Sequence, residues 1–150
     1  MKISTKGRYG LEALVFMCLE TGQNHVSLKK IGETLDISEA YILQIFLVLR
    51  RTGIVESVRG AQGGYRLSRS PEEVTVGEVL NALEGPLSPV ACVVDGCHQK
   101  CDRMEGCATR LLWERVSVQL NNLTDSMTLS DLIEHYRTLN PQWAGEDFSI

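Results

Sequence analysis

The sequence predicts a mainly α-helical fold with one small β hairpin. Apolar residues recur at helical spacing in several segments, for example at Ile42, Ile45 and Leu49. Two short extended runs flank the glycine-rich stretch 60–64, which is typical of a hairpin. A long amphipathic segment from Cys107 to Asn121 indicates a further helix.

Length and composition indicate a globular protein. At 150 residues, the chain is long enough to bury the core of one domain. Its first eight residues contain no apolar stretch of the kind found in signal peptides, and no apolar run approaches the roughly 20 residues that cross a bilayer. We therefore expect the protein to be cytoplasmic, where thiols stay reduced.

The net charge of −4 is distributed unevenly along the chain. Residues 1–70 hold ten Lys/Arg and six Asp/Glu, whereas residues 71–150 hold five Lys/Arg and thirteen Asp/Glu. A basic half joined to an acidic half indicates that one part meets phosphate and the other does not. We therefore expect the first half to carry any contact with nucleic acid.

Three helices are predicted in the basic half. The apolar spacing places the first over residues 8–20. Ser27 can cap a second helix over 28–35, and Ser38 can cap a third that runs to about Arg51. A turn of three residues joins the second helix to the third, and two helices joined in this way form a helix-turn-helix.

The third predicted helix carries candidate contacts to DNA bases. In a helix-turn-helix, the second helix enters the major groove with its N-terminal residues on base edges. Ser38, Tyr41 and Gln44 are the candidates here, and Gln can form a bidentate pair with adenine. Arg50, near the end of the helix, suits a phosphate contact or a salt bridge. The alternative is a plain helical hairpin with a polar face.

The predicted hairpin follows directly and strengthens the first interpretation. Its strands are expected over 54–59 and 64–67, with Arg59 at the start of the glycine-rich tip. A cationic side chain on a narrow loop suits the minor groove, where the negative potential is strongest. Gly60 allows the backbone to approach DNA closely. The first half is therefore predicted to be a winged helix-turn-helix that binds double-stranded DNA.

The acidic half is predicted to hold further helices and a dimerisation element. Thr75 begins a helix over 76–83, and Thr128 or Ser130 caps the last one. A single winged domain reads few bases, so sequence-specific binding usually needs a homodimer on a palindromic site. The long helix 107–121 is the candidate dimerisation helix. The alternative is a helix that packs only on its own subunit.

Four of the five cysteines fall between residues 92 and 107, in the spacing Cys92-x4-Cys97-x3-Cys101-x5-Cys107, with His98 among them. No C-x2-C pair is present, although that pair opens most structural zinc motifs. The wider gaps favour an iron–sulfur cluster held by thiolates, while zinc binding and thiol redox sensing stay open. The fifth cysteine, Cys18, lies on the apolar face of the first helix and is expected in the core.

These features divide the chain into four predicted regions. They are a winged helix-turn-helix DNA-binding domain over 1–85, a cysteine-rich cluster-binding loop over 86–106, the dimerisation helix and a C-terminal helix over 107–140, and a loose tail over 141–150.

The sequence resembles the IscR, NsrR, RirA and CymR family of winged helix-turn-helix transcription regulators. The motifs that carry the resemblance are STKGRYG (4–10), ISEAYILQ (37–44), VRGAQGGY (58–65), VGEV (76–79) and CATRLLW (107–113). The resemblance implies a dimer in which each loop ahead of the long helix can hold a [2Fe–2S] or [4Fe–4S] cluster. By position, Cys92, Cys101 and Cys107 match the cysteine ligands of IscR-like members.

Two positions depart from the IscR-like pattern. The histidine that serves as the fourth ligand would align with Arg110, which cannot ligate iron, so the fourth ligand is expected to be Cys97, His98 or a residue from elsewhere. Leu43 stands where some relatives carry a carboxylate, and we expect it to contact DNA with a different base preference.

The predicted function is therefore a transcription regulator, not an enzyme. It would sense iron–sulfur cluster status, through a cluster of the [2Fe–2S] type, and control iron–sulfur biogenesis or related genes. CymR-like members work without a cluster but lack a full cysteine set. The alternative is a cluster-free regulator controlled by a partner protein or by thiol redox state.

Overall fold

The structure, a computed structural model, describes residues 3–20, 25–94, 101 and 104–141. These residues form six α-helices and one antiparallel β hairpin, and the predicted mainly α class with a small β wing is confirmed. The helices are α1 (Thr5–Leu19), α2 (Leu28–Leu35), α3 (Glu39–Arg51), α4 (Val76–Glu84), α5 (Arg110–Ser126) and α6 (Leu129–Leu139), and the strands are β1 (Val55–Val58) and β2 (Gly64–Leu67). Two short 3₁₀ turns, Ala91–Val93 and Met104–Gly106, lie between α4 and α5.

Helix α1 begins three residues before the predicted start at Arg8. The Ser4 side chain caps it by accepting hydrogen bonds from the backbone N–H groups of Lys6 and Gly7. The first turn contains no apolar residue, so hydrophobic spacing could not reveal it. The cap was the signal that sequence analysis overlooked.

Helices α2 and α3 form the predicted helix-turn-helix. Their caps are those predicted: Ser27 accepts from the N–H of Lys30 at 3.2 Å, and Ser38 accepts from the N–H of Tyr41 at 3.3 Å. Asp36 closes α2 in the left-handed region, with φ of 53°. The short turn between α2 and α3 therefore sets the angle between the two helices.

The hairpin after α3 is the predicted wing. Gly53, with φ of 77°, ends α3 and turns the chain into β1, and Val58 pairs with Gly64 at the tip. A third segment extends the sheet, because Val26 and Tyr65 exchange two backbone hydrogen bonds of 2.9 Å. The wing is thereby attached to the residue that precedes the α2 cap.

The core lies between α1, α3, α4 and the wing. Its largest fully buried side chain, Phe46, packs edge-on against Tyr65 with ring centroids 5.1 Å apart. Leu129 brings α6 into the same core. Cys18 is buried as predicted, and burial raises the pKa of its thiol to about 12. No described helix is long and apolar enough to cross a membrane.

Helix α5 starts three residues later and ends five residues later than the predicted span 107–121. The helix begins later than predicted, because Thr109 rather than Cys107 takes the N-cap position. In the extension, the Thr124 and Ser126 hydroxyls donate to carbonyls of the preceding turn, so these polar side chains do not interrupt the helix. The predicted end was wrong because polar residues at 121–126 stay inside the helix.

A candidate DNA interface and a cysteine loop

Helix α3 has one buried face and one exposed face. The buried face carries the core residues Ile42, Ile45, Phe46 and Leu49. On the exposed face lie Leu43, Gln44 and Arg50, all predicted contacts, together with Leu47, which the sequence analysis did not select. Leu47 lies four residues after Leu43, and this spacing, which places both side chains on one side of the helix, could have identified it.

The other two predicted contacts on α3 lie at its start. Ser38 is exposed while its hydroxyl caps the helix. Tyr41 is half-buried, with its ring edge-on against Tyr9 at 6.2 Å between centroids. This packing holds the Tyr41 ring in place between α1 and α3, so less of it is open to a ligand than of Gln44.

The wing places an exposed arginine beside α3. The N–H of Ile54 donates to the carbonyl of Leu49 at 2.9 Å, so the three residues between α3 and β1 are held against the end of the helix. Arg59 follows β1 and is exposed at the tip, next to Gly60, whose φ of 134° is favourable for glycine. The exposed face of α3 and the Arg59 side chain therefore belong to neighbouring elements joined by this short turn.

The basic residues of this region fall into two groups. Arg66 is paired with Glu56 across the wing, with 2.6 Å between Nε and Oε1, and Arg69 is paired with Glu78. Within the described part of the chain, Arg50, Arg51 and Arg59 form no ion pair with a carboxylate. Those three guanidinium groups are thus available for phosphate groups.

The cysteine loop lies between α4 and α5. Cys92 and Cys107 are half-buried, and Cys101 is exposed. Cys92 and Arg110 line the same cleft of about 610 Å³ between the end of α4, the loop and α5. The two remaining predicted ligands, Cys97 and His98, lie outside the described residues.

The surroundings of Cys107 stabilise its thiolate. A hydrogen bond of 3.4 Å with the Thr109 hydroxyl lowers the pKa of Cys107, and the nearby Arg110 guanidinium lowers it further. Glu114, 2.6 Å from Nε, raises the pKa of Arg110, as do Cys92 and Cys107 to a smaller extent. Arg110 thus lies close to two of the cysteines. Sequence analysis did not select Thr109, although a hydroxyl two residues after a cysteine is a recognisable pattern.

The donor chemistry of the loop fits an iron–sulfur cluster, because thiolates are the usual ligands and Cys107 is biased toward that form. Among residues 3–20, 25–94, 101 and 104–141, however, no group of three His, Cys, Asp or Glu side chains is close enough to hold a metal ion.

Helix α5 exposes an unusual number of large apolar side chains. Its second half packs on α4, and Asn121 donates to the carbonyl of Leu87 at 3.0 Å. Three apolar side chains between 39% and 58% exposed follow one another at spacings of four and seven residues on one side of the helix: Leu112, Val116 and Leu123. Leu111 and Val118 are also exposed but lie on a second side, and Val118 lines the cleft beside Cys92. The row 112, 116 and 123 is a candidate interaction surface.

A helix-turn-helix followed by a wing with unpaired arginines defines the class of winged-helix DNA-binding proteins. The Rrf2 profile, described as "Iron-dependent Transcriptional regulator", matches residues 3–135. The chain belongs to the Rrf2 family of transcription regulators, which bind DNA. Its family and relatives are transcription regulators, not enzymes.

Two named groups of regulators are similar to this chain. The HTH-type transcriptional regulator CymR of Bacillus subtilis is 42% identical over 135 residues, covering 90% of this chain and 91% of that protein. The HTH-type transcriptional regulator IscR of Sodalis glossinidius is 35% identical over 141 residues, covering 93% and 83%. The structure of T. potens IscR matches with a TM-score of 0.75 and 38% identity, over 93% of this chain and 91% of that one.

Proposed function

We propose that this protein is a homodimeric regulator of iron–sulfur cluster biogenesis or related genes, whose DNA binding responds to a cluster held by the loop ahead of α5. The observation that carries the proposal is the grouping of Cys92 and Cys107 around Arg110, beside a helix with an exposed apolar face. The same region would then contain both the sensor and the contact between subunits.

The DNA contacts follow from the exposed face of α3 and from the wing. Gln44 addresses a base edge in the major groove, with Ser38, Tyr41 and Leu43 around it. Arg59 reaches the minor groove, where Gly60 permits close approach of the backbone. Arg50 contacts phosphate. Two copies related by a two-fold axis would read a palindromic double-stranded site.

This arrangement of contacts is tested by substituting one side chain at a time. Gln44→Ala and Arg59→Ala should each weaken binding to a palindromic operator by about 1–3 kcal/mol, measured by fluorescence anisotropy at fixed salt concentration. Arg66→Ala is the matched control, because that wing arginine is already paired with Glu56. Unchanged affinity in both test variants would show that the interface lies elsewhere.

The cysteine loop supplies the ligands in this proposal. Cys92, Cys101 and Cys107 would hold the cluster, with Cys97 or His98 as the fourth ligand. When bound, a [2Fe–2S] cluster supplies a cross-link between loop segments that depends on iron, sulfide and redox state. Thr109 and Arg110 favour the thiolate of Cys107. Because Arg110 begins α5, a change of order in the loop acts directly on the proposed dimerisation helix.

The cluster is tested on protein purified without oxygen. Iron and sulfide analysis, together with visible absorption and electron paramagnetic resonance spectra, should show a cluster in the wild type and its loss in Cys92→Ala, Cys101→Ala and Cys107→Ala. Cys18→Ala is the matched control, because that thiol is buried in the core. A colourless wild type with stoichiometric zinc would exclude the iron–sulfur proposal.

A second candidate is a cluster-free regulator controlled by thiol redox state or by a partner protein. One observation favours it: Arg110, at the position that the resemblance assigns to a histidine ligand, is paired with Glu114. The similarity to CymR at 42% identity points the same way. If the three cysteine variants keep both DNA binding and its regulation, control by a partner replaces control by a cluster.

A further inference from the structure

The exposed face of α3 carries an apolar ridge, of which the proposed function names only Leu43 and assigns it no base. Ala40, Leu43 and Leu47 follow one another at spacings of three and four residues, which places them on one face of the helix. Leu43 is 39% and Leu47 is 38% exposed, whereas the leucine on the opposite face, Leu49, is fully buried. The ridge runs alongside Gln44.

The ridge lies between an acidic residue, Glu39, at the start of α3 and two arginines at its end. Arg50 and Arg51 extend the exposed face at the end of α3, and neither forms an ion pair within the described residues. Together with Arg59 on the wing, three unpaired guanidinium groups outnumber the one carboxylate of Glu39, and this balance favours a polyanion as the partner. An apolar strip that leads to arginines matches the major groove, whose phosphates flank a floor that is apolar only where thymine presents its C5 methyl group.

We propose that Leu43 and Leu47 read thymine by contact with its C5 methyl group, at base pairs adjacent to the one addressed by Gln44. Methyl contact discriminates thymine from cytosine and from both purines, because none of these carries an apolar group at that position in the groove. The preferred operator then contains thymine at a fixed distance from the adenine paired with Gln44. This inference rests on the proposed placement of α3 in the major groove.

The proposal predicts a loss of affinity when one methyl group is removed from DNA. An operator is first obtained by selection from a random duplex library with the full-length protein, and each thymine is then replaced in turn by deoxyuridine. At one or two positions per half-site, wild-type affinity should fall about fourfold for each methyl group removed, as expected for burial of a single methyl group.

The matching change in the protein identifies the side chain responsible. Leu43→Ala or Leu47→Ala should weaken binding to the thymine operator and abolish the difference between thymine and deoxyuridine at its position. Leu139→Ala, which truncates a leucine 66% exposed on α6, should keep the full wild-type difference. Both test residues are exposed, so the variants should remain folded, which circular dichroism verifies.

The possible results separate this inference from the proposed function. If deoxyuridine has no effect at any position while Gln44→Ala and Arg59→Ala still weaken binding, only the methyl contact is wrong. If wild-type protein selects no sequence at all, the proposed placement of α3 in the major groove is wrong, and this inference is wrong with it. A change in the molecular mass of DNA-free protein on Leu43→Ala would show that the ridge is a protein contact instead, and would also overturn the proposal.

Discussion

At the scale of single residues, one missing side chain allows α2 and α3 to come close together at their turn. A Cβ atom on Gly32 would lie 2.6 Å from the carbonyl oxygen of Ile37, which is backbone and cannot rotate away. The N–H of Ile37 also donates to the carbonyl of Gly32 at 2.9 Å. The angle at which α3 leaves the turn, and so the face that it presents, depends on this contact.

Gly32→Ala should therefore destabilise the protein even though alanine is the better helix former by about 1 kcal/mol. The backbone must shift to relieve the overlap, and we expect a net loss of about 1–3 kcal/mol in the free energy of unfolding, measured by urea denaturation. Gly106→Ala is the control, because among the described residues, its chain neighbours aside, no heavy atom lies within 4 Å of the added methyl group. Equal stability of both variants would contradict this account of the turn.

At the scale of elements, α6 is held at its start by a reciprocal cap. Asp131 Oδ2 accepts from the Thr128 N–H at 2.7 Å and from the Thr128 hydroxyl at 2.9 Å, and the Asp131 N–H donates to the Thr128 hydroxyl at 3.2 Å. The backbone hydrogen bond, followed by the side-chain one, lowers the pKa of Asp131 below its ordinary value of 3.8. Folding thus stabilises the ionised carboxylate of Asp131 relative to its protonated form.

This lowered pKa fixes the sign of a pH effect on stability. The contribution of Asp131 is fully present above the pKa it has when unfolded, and it is lost as the pH falls through the lower pKa of the folded state. Asp131→Asn should have a lower melting temperature than wild type at pH 7, and the difference should shrink as the pH falls below 3.8. Glu134→Gln, on the exposed side of the same helix, should show no such convergence. A difference that stays constant with pH would contradict the capping role.

The starts of α2 and α3 could be predicted from their serine caps, whereas the start of α1 was missed although Ser4 caps it. The predicted bounds of α2 agree with the structure because Ser27 precedes its first apolar residue. The end of α5 could not be placed, because Thr124 satisfies its hydroxyl within the helix and leaves no breaking signal. In the same way, the residue types of Gln44 and Arg59 suggested DNA contacts, whereas Leu47 is of the same residue type as the core leucine Leu49 and only its position off the core face 42, 45, 46 and 49 distinguishes it.

At the scale of the whole molecule, binding surfaces and stabilising core are kept apart. The exposed face of α3 and the wing form one surface, and the exposed face of α5 forms another beyond α4. The basic half carries the first surface and the acidic half carries the second. In the proposed dimer, one subunit would therefore pair through α5 while it keeps α3 open to DNA.

Disrupting the α5 face should convert a dimer into monomers. We expect wild-type protein to sediment at twice the subunit mass of 16.7 kDa. The double variant Leu112→Glu, Leu123→Glu should sediment near the subunit mass, because burying an unpaired charge in an apolar contact costs free energy. The double variant should also bind a palindromic operator more weakly. Leu43→Glu places a charge on an exposed leucine of α3 instead, and it should remain dimeric. A test variant that stays dimeric would exclude this face as the contact between subunits.

The bridge between Val26 and Tyr65 also protects the wing from self-association. A bare hairpin has two open edges onto which strands of other chains can add, and such edges promote aggregation. Here the inner edge of β2 is occupied at Tyr65. The outer edge, β1, is only four residues long and carries the exposed charge of Glu56. The wing is proposed to contact DNA and must therefore stay exposed. We expect that, when no DNA is bound, its edges do not promote the growth of fibrils or amorphous precipitates.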